Sequence, residues 1–92
     1  DANLRIVSPT PGTVVALDPD IPPARQRLWF EAVGASPAAA AGLRWRIDGR
    51  ELGRGARWGW LPWPGRHRVE LLDARGQVQA QIAIEVRGAG VK

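Results

Sequence analysis

Eleven Gly and eight Pro punctuate this 92-residue chain, scattered along its length rather than massed into low complexity. The intervals between them leave no amphipathic helix, and helices below about 12 residues are marginal without tertiary support. The intervals instead hold short runs in which apolar and polar residues alternate, the period of a half-buried strand. Leu4 to Ser8 sets Leu4 and Ile6 on one face and Arg5 and Val7 on the other. Pro9, Pro11 and Gly12 stop it, and Thr13 to Leu17 resumes extended structure with β-branched Thr13, Val14 and Val15. Asp18-Pro19-Asp20-Ile21-Pro22-Pro23 reads as a stiff loop. Its prolines remove backbone donors, so the segment cannot be a central strand, and Asp18 and Asp20 read as turn formers.

The pattern continues to the end. Arg27 to Val33 alternates Leu28, Phe30 and Ala32 against Trp29, Glu31 and Val33. Gly34 to Gly42 is a loop in which Ala38 to Ala41 can form one helical turn. Leu43 to Ile47 carries Trp45 centrally, with Arg44 and Arg46 on the opposite face, and Asp48-Gly49 is a two-residue hairpin signal. Glu51 and Leu52 begin a return strand, and Trp58 to Leu61 reads as another short one. Arg66 to Leu72 turns inward at His67, Val69 and Leu71. Asp73 to Gly76 is a turn, and Val78 to Arg87 points Val78, Ala80, Ile82, Ile84 and Val86 one way. This spacing predicts an all-β, immunoglobulin-like β-sandwich of about seven short antiparallel strands, with Trp45 at its centre. The length fits one domain, residues 1–92, with a core over about 4–88 and a flexible tail at 89–92.

Composition excludes several chemistries. With no Cys there is no disulfide scaffold, thiol nucleophile or Cys-ligated zinc. With one His, His67, no site can draw two imidazoles from this chain, and that His faces inward beside Val69 and Leu71. A buried imidazole bonded to a backbone carbonyl is the expectation. The hydroxyls Ser8, Thr10, Thr13 and Ser36 have no evident base, so no catalytic residue is assigned. No loop carries a run of oxygen ligands that would hold calcium, and no metal or cofactor is expected. No apolar run approaches the 18 residues of a membrane span. Asp1 opens the chain without a signal-like region, which suits a cytoplasmic protein, a mature product or an excised domain.

The net charge of +4 and pI near 11.3 invite a nucleic-acid reading. The nine acids are interspersed among the bases, however, and the bases are twelve Arg to one Lys. Part of the basicity therefore follows from a composition rich in Ala, Gly, Arg and Pro, and no nucleic-acid partner is assigned. The aromatic residues are more informative. Trp58, Trp60 and Trp63 lie within six residues, and one Phe without Tyr or Met forces the core to take bulk from Trp. Trp60 is read as core. Trp29, Trp58 and Trp63, with Arg25 and Arg27, are the candidate contact surface for a protein partner, because Trp and Arg are enriched in binding hot spots. Rows of flat aromatic faces also suit sugar rings, which makes a glycan the alternative ligand. Arg27, Arg57 and Arg66 are the cations able to stack on these rings.

Several blocks, taken in order, resemble one family. Leu17-Asp18-Pro19-Asp20-Ile21-Pro22 followed by Arg25-Gln26, then Trp45-Arg46-Ile47-Asp48-Gly49, Trp60 to His67, Leu71 to Gly76 and the closing Val86-Arg87-Gly88 resemble the C-terminal domain of bifunctional penicillin-binding proteins of the 1C group. The resemblance spans Ile6 to Gly88. It implies an appendage following glycosyltransferase and transpeptidase domains, in the periplasm, as part of an inner-membrane-anchored peptidoglycan synthase. The family's Ser-x-x-Lys nucleophile has no counterpart here, since the only Lys is Lys92. The expected function is therefore a non-catalytic accessory domain making protein–protein or interdomain contacts in cell-wall synthesis. Its partner would be its own transpeptidase domain or a periplasmic protein, and the alternative is a glycan-binding module gripping peptidoglycan through exposed Trp. No membrane insertion of the domain is expected, and in isolation it is expected to be a monomer.

Overall fold

The computed structural model describes residues 4–88, and the expected tail at 89–92 lies outside them. In chain order the elements are β1 (Arg5–Ser8), β2 (Val14–Ala16), a 3-10 turn (Pro23–Arg25), β3 (Leu28–Val33), α1 (Pro37–Ala40), β4 (Arg44–Ile47), β5 (Arg50–Arg54), β6 (Arg57–Trp60), β7 (Gly65–Leu72) and β8 (Val78–Arg87). They build two facing sheets, one of three strands in the order β1-β3-β6 and one of five in the order β2-β8-β7-β4-β5. The all-β sandwich expected from the alternation is the observed fold.

Local chemistry explains the element ends. Asp48 and Gly49 both sit at positive φ, 52° and 87°, the pair of left-handed residues that closes a two-residue hairpin without splaying its strands. Asp-Gly tolerates that geometry where a β-branched residue would not. The single helical turn α1 begins at Ser36, whose Oγ accepts from the Ala39 N–H at 3.1 Å, with Pro37 in the first turn. Asp73 closes the β7–β8 turn by accepting from the backbone N–H groups of Arg75 and Gln77 at 2.9 and 3.0 Å.

One expectation is corrected. The strands, eight among the described residues against about seven expected, are not all antiparallel: β2 runs parallel to β8, pairing Val14 with Glu85 and Ala16 with Arg87. The reason is the stretch Pro9 to Thr13, over which the chain leaves the three-stranded sheet and joins the edge of the other. Hydrogen bonds from Gly12 N–H to the Ala83 carbonyl and from Glu85 N–H to the Thr13 carbonyl secure that crossing. A smaller correction concerns the β7–β8 ladder, whose register shifts between Leu71 and Leu72. There Val78, expected inward, is exposed, while Leu72, expected outward, is buried.

The core lies between the sheets. From the three-stranded side come Phe30, Ala32 and Trp60, and from the other Trp45, Ile47, Val69, Leu71, Ile82, Ile84 and Val86. Phe30 is fully buried and its ring lies 5.4 Å from Trp45, 5.4 Å from Trp58 and 5.6 Å from Trp60. The Trp45 indole N–H, which burial would otherwise strand, donates to the Gly55 carbonyl at 2.8 Å. Phe30 is thus the aromatic hub. Phe30→Ala should cost about 3–5 kcal/mol, a large share of a stability of roughly 5–15 kcal/mol. Urea unfolding of Phe30→Ala, with Phe30→Leu as the milder companion, measures it. A loss below about 1 kcal/mol would mean the hub is misassigned.

Candidate functional site

Trp29 faces outward on β3, opposite Gly59 of β6. The missing side chain at Gly59 makes room for the indole: a Cβ there would come within 3.0 Å of the Trp29 ring and 3.2 Å of Arg27 Cδ. Arg57 stacks its guanidinium carbon 4.1 Å from the Trp29 ring centroid, while its Nε donates to Glu31 Oε2 at 2.9 Å. Arg27 donates from Nη1 to the Gly59 carbonyl at 3.3 Å. The result is an exposed Trp fixed by neighbours on the outer face of the small sheet, with the stack worth about 0.5–1 kcal/mol.

Trp63 belongs to a second group, at the end of the sandwich where β6 finishes and β7 begins. Its ring meets Trp60 edge-on at 5.0 Å and His67 at 5.2 Å. His67 is buried, and both its nitrogens face acceptors: Nδ1 lies 2.6 Å from Asp48 Oδ2 and Nε2 lies 2.8 Å from the Trp63 carbonyl. Asp48 Oδ1 also accepts from the Arg68 N–H at 2.9 Å. Burial pushes the Asp48 carboxyl up, but the hydrogen bond from His67, the Arg68 N–H and the charge of His67 outweigh it and hold the group below the usual range. The buried His expected from the sequence is therefore present, bonded to a carbonyl, and it also braces the Trp63 turn against the β4–β5 hairpin.

Arg25 closes the 3-10 turn and is exposed. With Arg27, Ile21, Leu17, Leu28 and Pro62 it lines a groove of about 270 Å³ at the same end of the sandwich. The loop before it is held by Gln26, whose Oε1 accepts from the Asp18 N–H at 2.7 Å and whose Nε2 donates to the Asp18 and Ile21 carbonyls at 2.8 and 2.9 Å. Asp18 Oδ1 in turn accepts from the Asp20 N–H, so Asp18 is the turn former that the sequence led us to expect, while Asp20 contributes its backbone N–H.

The five candidate contact residues therefore do not form one patch. Arg27 and Trp29 lie together, Arg25 is linked to Arg27 across the groove, and Trp63 stands on the neighbouring turn. Trp58 is the exception: it is half-buried, packs edge-on to Phe30, and covers Gly53, where a Cβ would overlap its indole. It caps the core between the sheets. Sequence reasoning missed Ile21 and Leu61, which stand exposed beside Trp63 and Arg25 at this end. Their Pro-rich surroundings are the signal that could have marked them as rigid and solvent-facing. Trp60 Nε1 is buried without a hydrogen-bond acceptor among the described residues. Among those residues no cluster of three or more His, Asp or Glu could hold a metal ion, and no helix is long and apolar enough to cross a membrane.

A family model described as the Penicillin-Binding Protein C-terminus Family matches residues 1–84. A search of curated proteins finds no match. Among solved structures, one from the work titled "Structures of Clostridium thermocellum CbhA fibronectin(III)-like modules" superposes with a TM-score of 0.68 at 16% identity. The alignment covers 94% of this chain and 98% of that one. At that identity the likeness speaks to the fold alone, a fibronectin III-like sandwich.

Two acids make acid stability the property to measure. Asp48 is held down as described. Asp73 is held down by the Gln77 N–H first, against an opposing effect of burial, and then by the Arg75 N–H, the Arg75 charge and Gln79. A carboxyl depressed in the fold contributes stability that is present above its unfolded value of about 3.9. That stability is lost as pH falls through the lower folded value. Unfolding free energy should therefore drop on acidification below about pH 4. Asp48→Asn should flatten part of that slope, because Asn keeps the turn geometry but does not titrate. An unchanged slope in Asp48→Asn would contradict the assignment.

Proposed function

Because the chain belongs to the C-terminus family of bifunctional penicillin-binding proteins, we propose that it is a non-catalytic accessory domain of a peptidoglycan synthase. Its role is to make protein–protein or interdomain contacts during cell-wall synthesis. The reading places the domain in the periplasm, outside the bilayer, on an enzyme anchored in the inner membrane. The observation that carries it is the immobilised Trp29, 43% exposed yet fixed by Arg57, Arg27 and Gly59. A rigid, amphipathic side chain loses little entropy on association, which suits a protein hot spot. The single imidazole supports the non-catalytic part, since both its nitrogens are engaged in bracing a turn.

Glycan binding through the same Trp residues is the weaker reading. A sugar ring stacks on a bare aromatic face, and Arg57 lies over a face of Trp29. Trp29→Ala combined with Trp63→Ala should weaken association with the purified transpeptidase domain or a periplasmic partner, while the circular dichroism of the domain is kept. Wild-type association retained in that double variant would remove this surface. Retention of the wild-type domain on protein-free sacculi at moderate salt, lost in the double variant, would instead establish the glycan reading.

A further inference from the structure

We propose that the outer face of the five-stranded sheet holds a groove for an extended acidic peptide segment, whose alternate carboxylates are received by Arg66 and Arg68. The groove, of about 460 Å³, lies over β7 and β8 beside β2 and is distinct from the Trp29 and Trp63 surfaces. Its occupant follows from three observations.

The first is spacing. Arg66 and Arg68 alternate with inward His67 on β7 and are exposed. Side chains two apart on a strand repeat at roughly 6.5–7 Å, the same repeat as alternate side chains of an extended peptide laid alongside. Guanidinium groups bind carboxylates bidentately.

The second is the state of the surrounding charges. Every carboxylate facing this area has a partner already. Asp48 is engaged by His67 and the Arg68 N–H. Glu85 lies 3.5 Å from Arg87, Glu70 lies 2.7 Å from Arg46, and Glu51 lies 3.3 Å from Arg44. Among the described residues, no ion pair engages the guanidinium of Arg66 or Arg68. Glu85 stands opposite Arg66 in the ladder, but its ion pair is with Arg87, so the face presents two solvent-exposed guanidinium groups without an ion pair among the described residues.

The third is the floor. Gly12 and Ala83 keep the groove open, and Val14, half exposed at 51%, gives apolar surface to the methylene stems of Glu side chains. Trp29 and Trp63 lie on the other sheet and on the β6–β7 turn. The groove therefore lacks the aromatic platform on which single-stranded bases stack. That favours a peptide over a nucleic acid.

The test is a titration of the isotope-labelled 92-residue chain, followed by amide chemical shifts. The probe is a blocked octapeptide alternating Glu and Thr. A second octapeptide of equal charge groups its four Glu together, a third carries Gln for Glu, and an oligonucleotide of thymidine completes the set. The alternating peptide should shift the Val14, Arg68 and Ala83 amides and bind more tightly than the grouped one. Arg66→Gln and Arg68→Gln should each weaken it about two- to fivefold, the range of an exposed ion pair. Arg75→Gln, on the far turn, should not. Equal affinity for the two acidic peptides, or unchanged affinity in the double Arg66→Gln, Arg68→Gln variant, overturns the proposal. Tighter binding of the oligonucleotide at the same amides also overturns it, in favour of a phosphate-backbone surface.

Discussion

Phe30 reaches from the three-stranded sheet to within 5.4 Å of Trp45 on the other, and both rings are closed to solvent. A sandwich of this size has little core to spare, and many extracellular relatives of the architecture spend a disulfide at this point. Here there is no Cys, so packing alone joins the two sheets, with the aromatic rings at the centre of an otherwise aliphatic core. Trp60 and Trp58 flank Phe30 on the next strand, and Trp58 extends the contact outward to Gly53 of β5. Removing the covalent tie has been offset by spending three of five Trp residues on the space between the sheets.

That expenditure decides what the surface can be. Only Trp29 and Trp63 remain outside, and each is anchored by a different device. Trp29 is held by a missing side chain below and a guanidinium above, whereas Trp63 is held by edge-on rings and by a buried imidazole bonded to its carbonyl. Both devices remove conformational freedom before any partner arrives, which lowers the entropic cost of association. The neighbouring loop is stiffened in the same spirit, with Gln26 supplying through its side chain the bonds that a Pro-rich backbone cannot make.

The strands were legible because period-two alternation is a direct consequence of packing one face. Trp45, Val69, Ile82 and Ile84 could be placed inward from the sequence alone. The Asp48-Gly49 turn was legible for a different reason, since few residues accept two left-handed positions in succession. What the sequence hid were relations between distant segments. Nothing local in Thr13 to Leu17 indicates that it pairs in parallel with β8. Trp58 and Trp63 look alike in sequence, yet one meets Gly53 across the sheets and the other meets His67. Likewise Gln26 carries no turn signature, because its partners lie five and eight residues back on a folded loop.

Charge shows the same dependence on fold. A net +4 says little until the pairs are placed in space: Arg44, Arg46, Arg57 and Arg87 each sit against a Glu, while Arg66 and Arg68, two apart on β7, are among those with no ion pair in the described residues. Position then links these two cations to the aromatic end of the domain. The Arg68 N–H bonds Asp48, Asp48 bonds His67, and His67 bonds the Trp63 carbonyl. Asp48 and His67, the two middle members, each have both side-chain polar atoms engaged, so neither can rotate without breaking two contacts. The basic groove and the exposed Trp63 are thus built on one hydrogen-bonded series across β4, β7 and the intervening turn. Geometry at one depends physically on the integrity of the other.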